Sequence, residues 1–139
     1  MTDAPRPAIA EDTGHGGLQL LITAGPARFL ADEPVALGGL DLGPTPHDLV
    51  SAGLAACTAQ TLRLYAKRKD WPLGRVEVRV SHRRDISVKP IDIFDRMISL
   101  DGPLEEEQRQ RLLEIAELCP VHKVLTAGAT ISTILSQGL

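Results

Sequence analysis

The two cysteines are the residues of this 139-residue chain whose type most directly indicates chemistry. A thiolate is both a nucleophile and a metal ligand, so a cysteine serves in redox cycling, in metal binding or in covalent catalysis. Cys57 and Cys119 lie far apart in the sequence, and no local Cys-x-x-Cys redox motif is present. The simplest structural role of a free cysteine is that of a small buried hydrophobe.

Cys119 has the surroundings expected of a reactive thiol. It directly precedes Pro120, at a predicted helix start where free backbone N–H groups and the helix dipole favour a thiolate. His122 and Lys123 follow closely and would bring positive charge near the sulfur. Cys57 lies in the middle of a predicted helix, where no helix terminus assists ionisation. Local sequence alone therefore ranks Cys119 as the more reactive thiol.

Two other chemistries involve His122. Cys119 and His122 have the spacing of zinc ligands, with Cys57 as a third, but paired knuckles are missing and neither His47 nor His82 falls in a ligand pattern. A Cys119–His122 pair also suits acyl transfer, although no orienting partner for the histidine is evident. We therefore expect no metal and no cofactor.

The elements that position these residues follow from hydrophobic periodicity. The strongest pattern is a helix that begins at Pro46, with Thr45 as N-cap and Asp48 where a capping box places an acid. Further helices are predicted from Pro103 and over 121–126. Strands are predicted over 18–23, 27–31, 75–83, 93–100 and 129–135. This order indicates an α+β domain with antiparallel strands.

Length and composition favour one domain over residues 18–139, preceded by a disordered tail at 1–17. With 3% aromatic residues and a net charge of −3, the chain offers neither a stacking surface nor electrostatic attraction for nucleic acid. No apolar run approaches the roughly 20 residues of a membrane span, and the N-terminus has no secretory signal. We therefore expect a cytoplasmic protein without membrane or nucleic-acid partners.

The two segments that contain the cysteines resemble the OsmC/Ohr family of organic hydroperoxide reductases. One is residues 38–73, GGLDLGPTPHDLVSAGLAACTAQTLRLYAKRKDWPL, and the other is residues 104–125, LEEEQRQRLLEIAELCPVHKVL. The similarity extends over roughly residues 27–135. It is strongest to the OsmC-like branch, which carries the motif Asp32-Glu33-Pro34 and the glycine-rich stretch Gly38–Pro44.

This resemblance implies an OsmC-like fold, in which antiparallel sheets pack on two main helices and two chains form an intertwined homodimer. It also implies a thiol-dependent peroxidase that acts in the oxidative stress response. The residue matching Cys57 attacks the O–O bond of an organic hydroperoxide and becomes a sulfenic acid, and the residue matching Cys119 closes a disulfide. A dithiol, of the lipoyl type in some members, then reduces the pair. This order reverses the ranking from local sequence.

The sequence departs from the family pattern at the residues that would activate Cys57. Members use an arginine from an early strand and a glutamate near the start of the cysteine helix. The glutamate position is His47 here, with Asp48 beside it and Glu33 earlier, and Arg28 is the available strand arginine. These four residues form the predicted activating shell, although helix capping is the simplest role of Asp48. The departure leaves a second function open, a non-peroxidatic dimer that binds a small apolar or thiol-reactive ligand.

Overall fold

The computed structural model describes residues 6–138. This part of the chain is an α+β protein with antiparallel strands and three α-helices. The described residues divide into two compact units, and the boundary lies between Ser51 and Ala52. Within the described range, every helix is too short or too polar to cross a membrane.

The first unit contains a three-stranded antiparallel sheet. Its strands β1 (Ile9–Asp12), β2 (Leu20–Ala24) and β3 (Ala27–Ala31) are neighbours in that order. The turn between β2 and β3 requires Gly25, whose φ of 56° lies in the left-handed region that glycine adopts at little cost. The strands predicted over 18–23 and 27–31 are therefore confirmed, and they pair as an antiparallel hairpin.

β1 lies within the stretch 1–17 that composition assigns to a disordered tail. All four residues of β1 are exposed, so the strand has no apolar stripe that periodicity could detect. It forms because its backbone pairs with β2, from Ile9 opposite Thr23 to Asp12 opposite Leu20. The prediction of disorder is wrong for this strand, since ladder hydrogen bonds rather than burial hold it. Residues 1–5 of the predicted tail lie outside the described residues.

A buried carboxylate organises the loop that follows β3. Asp32 is 2% exposed and accepts hydrogen bonds from the backbone N–H groups of Glu33, Leu40 and Leu42, at 2.8, 3.2 and 3.3 Å. Gly39 is required here, because a Cβ at this position would overlap the carbonyl oxygen of Glu33. The loop is therefore a specific structure built around Asp32, and Glu33 contributes its main chain to it.

Helix α1 (Pro46–Arg68) carries Cys57 and continues from the first unit into the second. Thr45 and Asp48 cap its start reciprocally, since each side chain accepts a hydrogen bond from the other's backbone N–H at 3.0–3.1 Å. This is the capping box that the sequence spacing predicts. The buried residues of α1 follow one another at intervals of four, and they are Leu54, Thr58, Leu62 and Ala66.

The second unit combines helices with a β-hairpin. The hairpin consists of β4 (Val76–Arg84) and β5 (Asp92–Leu100), and the helices α2 (Glu106–Ala116) and α3 (Pro120–Ala127) follow it. The hydrophobic core of the second unit contains Leu62, Leu112, Ile115 and Ala116. Partly buried residues pack against it, among them Trp71, Val76, Ile98 and Leu100. This packing joins α1 and α2 to the hairpin.

The strand predicted over 129–135 is not formed. The described residues after α3, 128–138, contain no regular element, and Ile131, Ile134 and Leu135 are 87–97% exposed. The β-branched composition of this segment favours a strand. A strand nevertheless requires a neighbour to satisfy its backbone hydrogen bonds, and the described chain pairs none with this segment.

Candidate active site

Cys57 and Cys119 lie side by side in the second unit. Their thiols share a hydrogen bond, and both cysteines are free. Cys57 is presented by α1 and is partly exposed, whereas Cys119 is the N-cap residue of α3 and has no exposed surface. A small oxidant that approaches from solvent therefore meets the Cys57 sulfur first.

Hydrogen-bond donors converge on the Cys119 sulfur. Burial raises the pKa of this thiol, but the hydrogen bonds outweigh burial, and the pKa lies below its ordinary value. The donors are the Cys57 thiol, the backbone N–H groups of His122 and Val121, and the hydroxyl of Thr58. Two of the four are free N–H groups in the first turn of α3, which is why a helix start stabilises an anion there.

The Cys57 thiol responds in the opposite direction. Burial raises its pKa, and the neighbouring Cys119 raises it further through the hydrogen bond and through charge. The backbone N–H of Val121 and the hydroxyl of Thr61 lower it, but by less. One pKa raised and one lowered is the behaviour of two groups that share a proton. In the half-ionised pair, the charge rests on Cys119 and the proton lies on the Cys57 side.

Arg96 on β5 is the buried cation of this site, and the cysteine motifs do not contain it. Its side chain is 12% exposed, and its guanidinium donates to Oγ1 of Thr58 at 3.0 Å and to Nδ1 of His122 at 3.2 Å. Arg96 thus links the two helices that carry the cysteines. Arg96 shares the more buried face of β5 with Phe94 and Ile98, while the residues between them are exposed. A charged residue at such an inward position is the sequence signal that would have identified it.

Both ring nitrogens of His122 are engaged by other side chains. Because a guanidinium can only donate, Nδ1 accepts from Arg96, and Nε2 donates to the carboxylate of Glu117 at 2.9 Å. Cys119 is bonded to the backbone of His122 and not to its imidazole. These bonds argue against a Cys119–His122 nucleophilic pair. They also argue against zinc, and residues 6–138 contain no group of three His, Cys, Asp or Glu side chains that could hold a metal ion.

The four residues predicted as the activating shell belong to the first unit. Arg28 is exposed on β3, Glu33 is half-buried in the loop after β3, and His47 and Asp48 are exposed in the first turn of α1. Asp48 has the capping role that its spacing suggests. Their part in activating Cys57 stays a prediction, whereas the observed surroundings of the cysteine pair come from α1, β5 and α3.

Comparison with known proteins gives a family match and several structures of the same fold. A family model described as OsmC-like protein matches residues 38–134, a range that includes both cysteines, while the curated proteins give no match. An OsmC-like protein from Mycoplasma pneumoniae is 18% identical and has a TM-score of 0.73, with 90% of this chain and 89% of that one covered.

Two further structures bear names that refer to hydroperoxides. An organic hydroperoxide resistance protein OsmC from Legionella pneumophila is 22% identical, with a TM-score of 0.63 and coverage of 88% and 91% of the two chains. The organic hydroperoxide resistance protein OhrB of Bacillus subtilis is 26% identical, with a TM-score of 0.58 and coverage of 86% and 90%. The family match spans well over half of the sequence, and the fold agrees over most of its length. The chain therefore belongs to the OsmC-like protein family.

Proposed function

We propose that this protein is a thiol-dependent peroxidase that reduces organic hydroperoxides through Cys57 and Cys119. The observation that carries the proposal is the proximity of a partly exposed cysteine and a fully buried one, whose thiols are near enough for each to shift the pKa of the other. Such a pair provides a site of attack and a second thiol within reach. The names of the Legionella and Bacillus relatives, which refer to organic hydroperoxide resistance, support the same substrate class and a role in oxidative stress.

The cycle uses both sulfurs, which begin reduced in a reducing cytoplasm. The Cys57 sulfur attacks the terminal oxygen of the hydroperoxide, the O–O bond breaks, and the alkoxide takes up a proton to become an alcohol. The Cys119 sulfur then attacks the Cys57 sulfenic acid and water leaves. Two sulfurs lose two electrons and the peroxide gains two. Because the thiols are already in contact, disulfide formation precedes further oxidation of the sulfenic acid.

A dithiol, such as a lipoyl group, completes the cycle. One of its thiolates attacks the Cys57 sulfur, which is the accessible end of the disulfide. Cys119 is then the leaving group, and its lowered pKa favours departure. The second thiol of the reductant closes its own disulfide and releases Cys57. Because Cys57 is the exposed cysteine, the hydroperoxide and the dithiol both react at its sulfur.

We further propose that the protein works as a homodimer, as the family resemblance implies. Support comes from large apolar side chains that the second unit leaves exposed. They include Leu64, Leu113, Leu118, Val124, Ile131, Ile134 and Leu135. Monomers rarely expose so much apolar surface. Light scattering is expected to give the mass of two chains, and a variant that ends at Gly128 should lose part of this association. A monodisperse single chain would contradict the proposal.

Two observations favour the second function, ligand binding without turnover. The pKa of Cys57 is raised by burial, which lowers the fraction of thiolate available for attack. The position of the family's glutamate is also occupied by His47. In this case, Cys57 would bind a small apolar or thiol-reactive ligand, and peroxide would not be consumed faster than by free thiol.

Mass spectrometry of the reduced protein titrated with cumene hydroperoxide separates the two functions. The wild type is expected to lose two hydrogens as one disulfide forms, and Cys119→Ser should gain one oxygen on Cys57. Cys57→Ser is the matched variant, since it keeps the buried thiol and removes the accessible one. Turnover with dihydrolipoamide should require both cysteines. Full turnover by Cys57→Ser, or unreacted wild-type thiols in excess peroxide, would refute the peroxidase proposal.

A further inference from the structure

We infer that Arg96 is a positioning residue, which orients the Thr58 hydroxyl and the start of α3 toward the Cys119 sulfur. With these donors in place, Cys119 accepts the Cys57 proton during attack on peroxide. The inference rests on the proposed peroxidase function. Arg96 lies outside both cysteine motifs, and its proposed role is exerted through Thr58 and His122.

The first connection runs through Thr58, which is completely buried. Its hydroxyl has one proton, which can point to the carbonyl oxygen of Leu54, 2.7 Å away, or to the Cys119 sulfur. Arg96 donates to the same hydroxyl oxygen at 3.0 Å. Since arginine has no acceptor, the Thr58 proton cannot turn toward it and remains available for the sulfur. A donor to the oxygen also polarises the O–H bond and strengthens its donation to an anion.

The second connection holds the backbone around Cys119. Arg96 donates to His122, and His122 donates to Glu117, so the bonded residues lie on both sides of Cys119 in the sequence. These two hydrogen bonds fix the first turn of α3, where the N–H groups of Val121 and His122 donate to the Cys119 sulfur. Arg96 therefore supports three of the four donors to Cys119, although it does not touch the sulfur itself.

Charge balance points the same way. The titratable and charged groups around Cys119 are Cys57 from α1, Arg96 from β5, Glu117 from the segment before α3, and His122 from α3. A guanidinium that is 12% exposed requires a nearby anion. The Glu117 carboxylate lies 4.0 Å away, beyond hydrogen-bond distance, and is 63% exposed. Solvent weakens the ion pair between Arg96 and this exposed carboxylate, and a Cys119 thiolate, separated from Arg96 by one hydroxyl, adds a second negative charge.

The proton then moves in a defined order. As the Cys57 sulfur bonds to the terminal peroxide oxygen and the O–O bond breaks, the Cys57 proton passes to the Cys119 thiolate. The alkoxide takes its proton from water. When the Cys119 sulfur then forms the S–S bond, its proton leaves with the sulfenic hydroxyl as water. A single proton held between the sulfurs thus serves both steps, and the only proton taken from solvent ends on the alcohol.

Thiolate absorbance in the ultraviolet tests this role without peroxide. The background is small, because the chain has one Tyr and one Trp. Cys57→Ser reports the titration of Cys119 alone, and Cys119→Ser reports that of Cys57 alone. In the Cys57→Ser protein, Arg96→Gln is expected to raise the pH midpoint of the Cys119 titration by about one pKa unit. At a pH below the midpoint, the fraction of Cys119 thiolate then falls roughly tenfold. The Cys57 midpoint should change much less.

Matched variants separate positioning from folding and from general charge. Thr58→Val removes the hydroxyl but keeps Arg96, and it should reproduce the Arg96→Gln shift, whereas Thr58→Ser should restore the parent midpoint. Arg79→Gln removes a charge from the exposed face of β4 and should shift nothing. If Arg96→Gln does not fold, judged by circular dichroism, the Thr58 pair decides.

Each outcome bears on one proposal. An unchanged Cys119 midpoint in Thr58→Val and in folded Arg96→Gln would overturn this inference, even if the wild type turns over peroxide. The expected shift in a protein that consumes no peroxide would overturn the peroxidase proposal and leave the role of Arg96 in ionising Cys119 standing.

Discussion

Closing the Cys57–Cys119 disulfide is expected to stabilise the second unit by about 2–3 kcal/mol. The bond would close a loop of roughly 60 residues, for which the loss of chain entropy in the unfolded state gives about 4 kcal/mol. Against this, the oxidised sulfur loses hydrogen bonds from Thr58, Val121 and His122, at a cost of about 1–2 kcal/mol. Native strain should be small, because the reduced thiols are already in contact.

Urea unfolding of the oxidised and the fully reduced protein measures this difference. Trp71, the single tryptophan, is a suitable fluorescence probe, since it packs against the core and lies 5.4 Å from the Tyr65 ring. With a slope of about 1–3 kcal/mol per M urea, the midpoint should rise by roughly 0.7–3 M on oxidation. The double variant Cys57→Ser/Cys119→Ser is the control and should not respond to oxidant.

An oxidised protein that is no more stable than the reduced one would refute this reasoning. It would mean that the bond forces α1 and α3 apart from their positions in the reduced fold, and that the pair is not prepared for disulfide formation. The same free energy connects stability to chemistry, because a fold that is stabilised by its disulfide also resists reduction of that disulfide. A dithiol, which makes the second step intramolecular, is the reductant suited to such a bond.

Substitutions at three further positions test the scaffold and the predicted shell. Leu62→Ala removes a side chain that is completely buried in the core of the second unit and should cost about 2–5 kcal/mol in chemical denaturation. Asp32→Ala leaves three backbone N–H groups without their acceptor and should cost roughly 2 kcal/mol or more, while Asp32→Asn, which keeps one oxygen, should cost less. Asp48→Ala should cost about 1 kcal/mol through the lost cap, with peroxide turnover unchanged at a temperature where the variant stays folded. A large loss of turnover at unchanged stability would instead place Asp48 in the activating shell.

Local signals predicted the elements that depend on local interactions. The start of α1 was predictable because a threonine, a proline and an aspartate at the correct spacing satisfy the first N–H groups of a helix. β4 was predictable from its alternating valines. β1 was not, because its residues are exposed and only pairing with β2 defines it. The segment 129–135 failed in the opposite way, since its composition favours a strand but no described strand pairs with it.

The candidate site was predictable only in part, for a related reason. The cysteines could be identified by residue type and by their family context, and the helix start at Pro120 correctly indicated an environment that favours a Cys119 thiolate. Beside the expected cations, His122 and Lys123, the structure adds Arg96, which local sequence did not indicate. His122 accepts a bond from Arg96, which lies on a strand whose alternation is interrupted by that same arginine. The sequence shows the interruption, but only tertiary packing shows what the arginine faces.

Exposure and ionisation favour different cysteines, and this division explains why the site needs both. In the proposed peroxidase, attack requires a cysteine that solvent can reach, which is Cys57, and a thiol whose surroundings favour ionisation, which is Cys119. Ranking the two thiols by pKa alone therefore selects a buried residue, while ranking them by exposure alone selects the thiol whose pKa is raised. A hydrogen bond between the sulfurs reconciles the two criteria, because a proton moving by one bond length transfers the charge to the accessible atom. In the proposed peroxidase the reactive unit is therefore the pair of thiols, and the residues that favour ionisation of Cys119 are expected to affect the reactivity of Cys57.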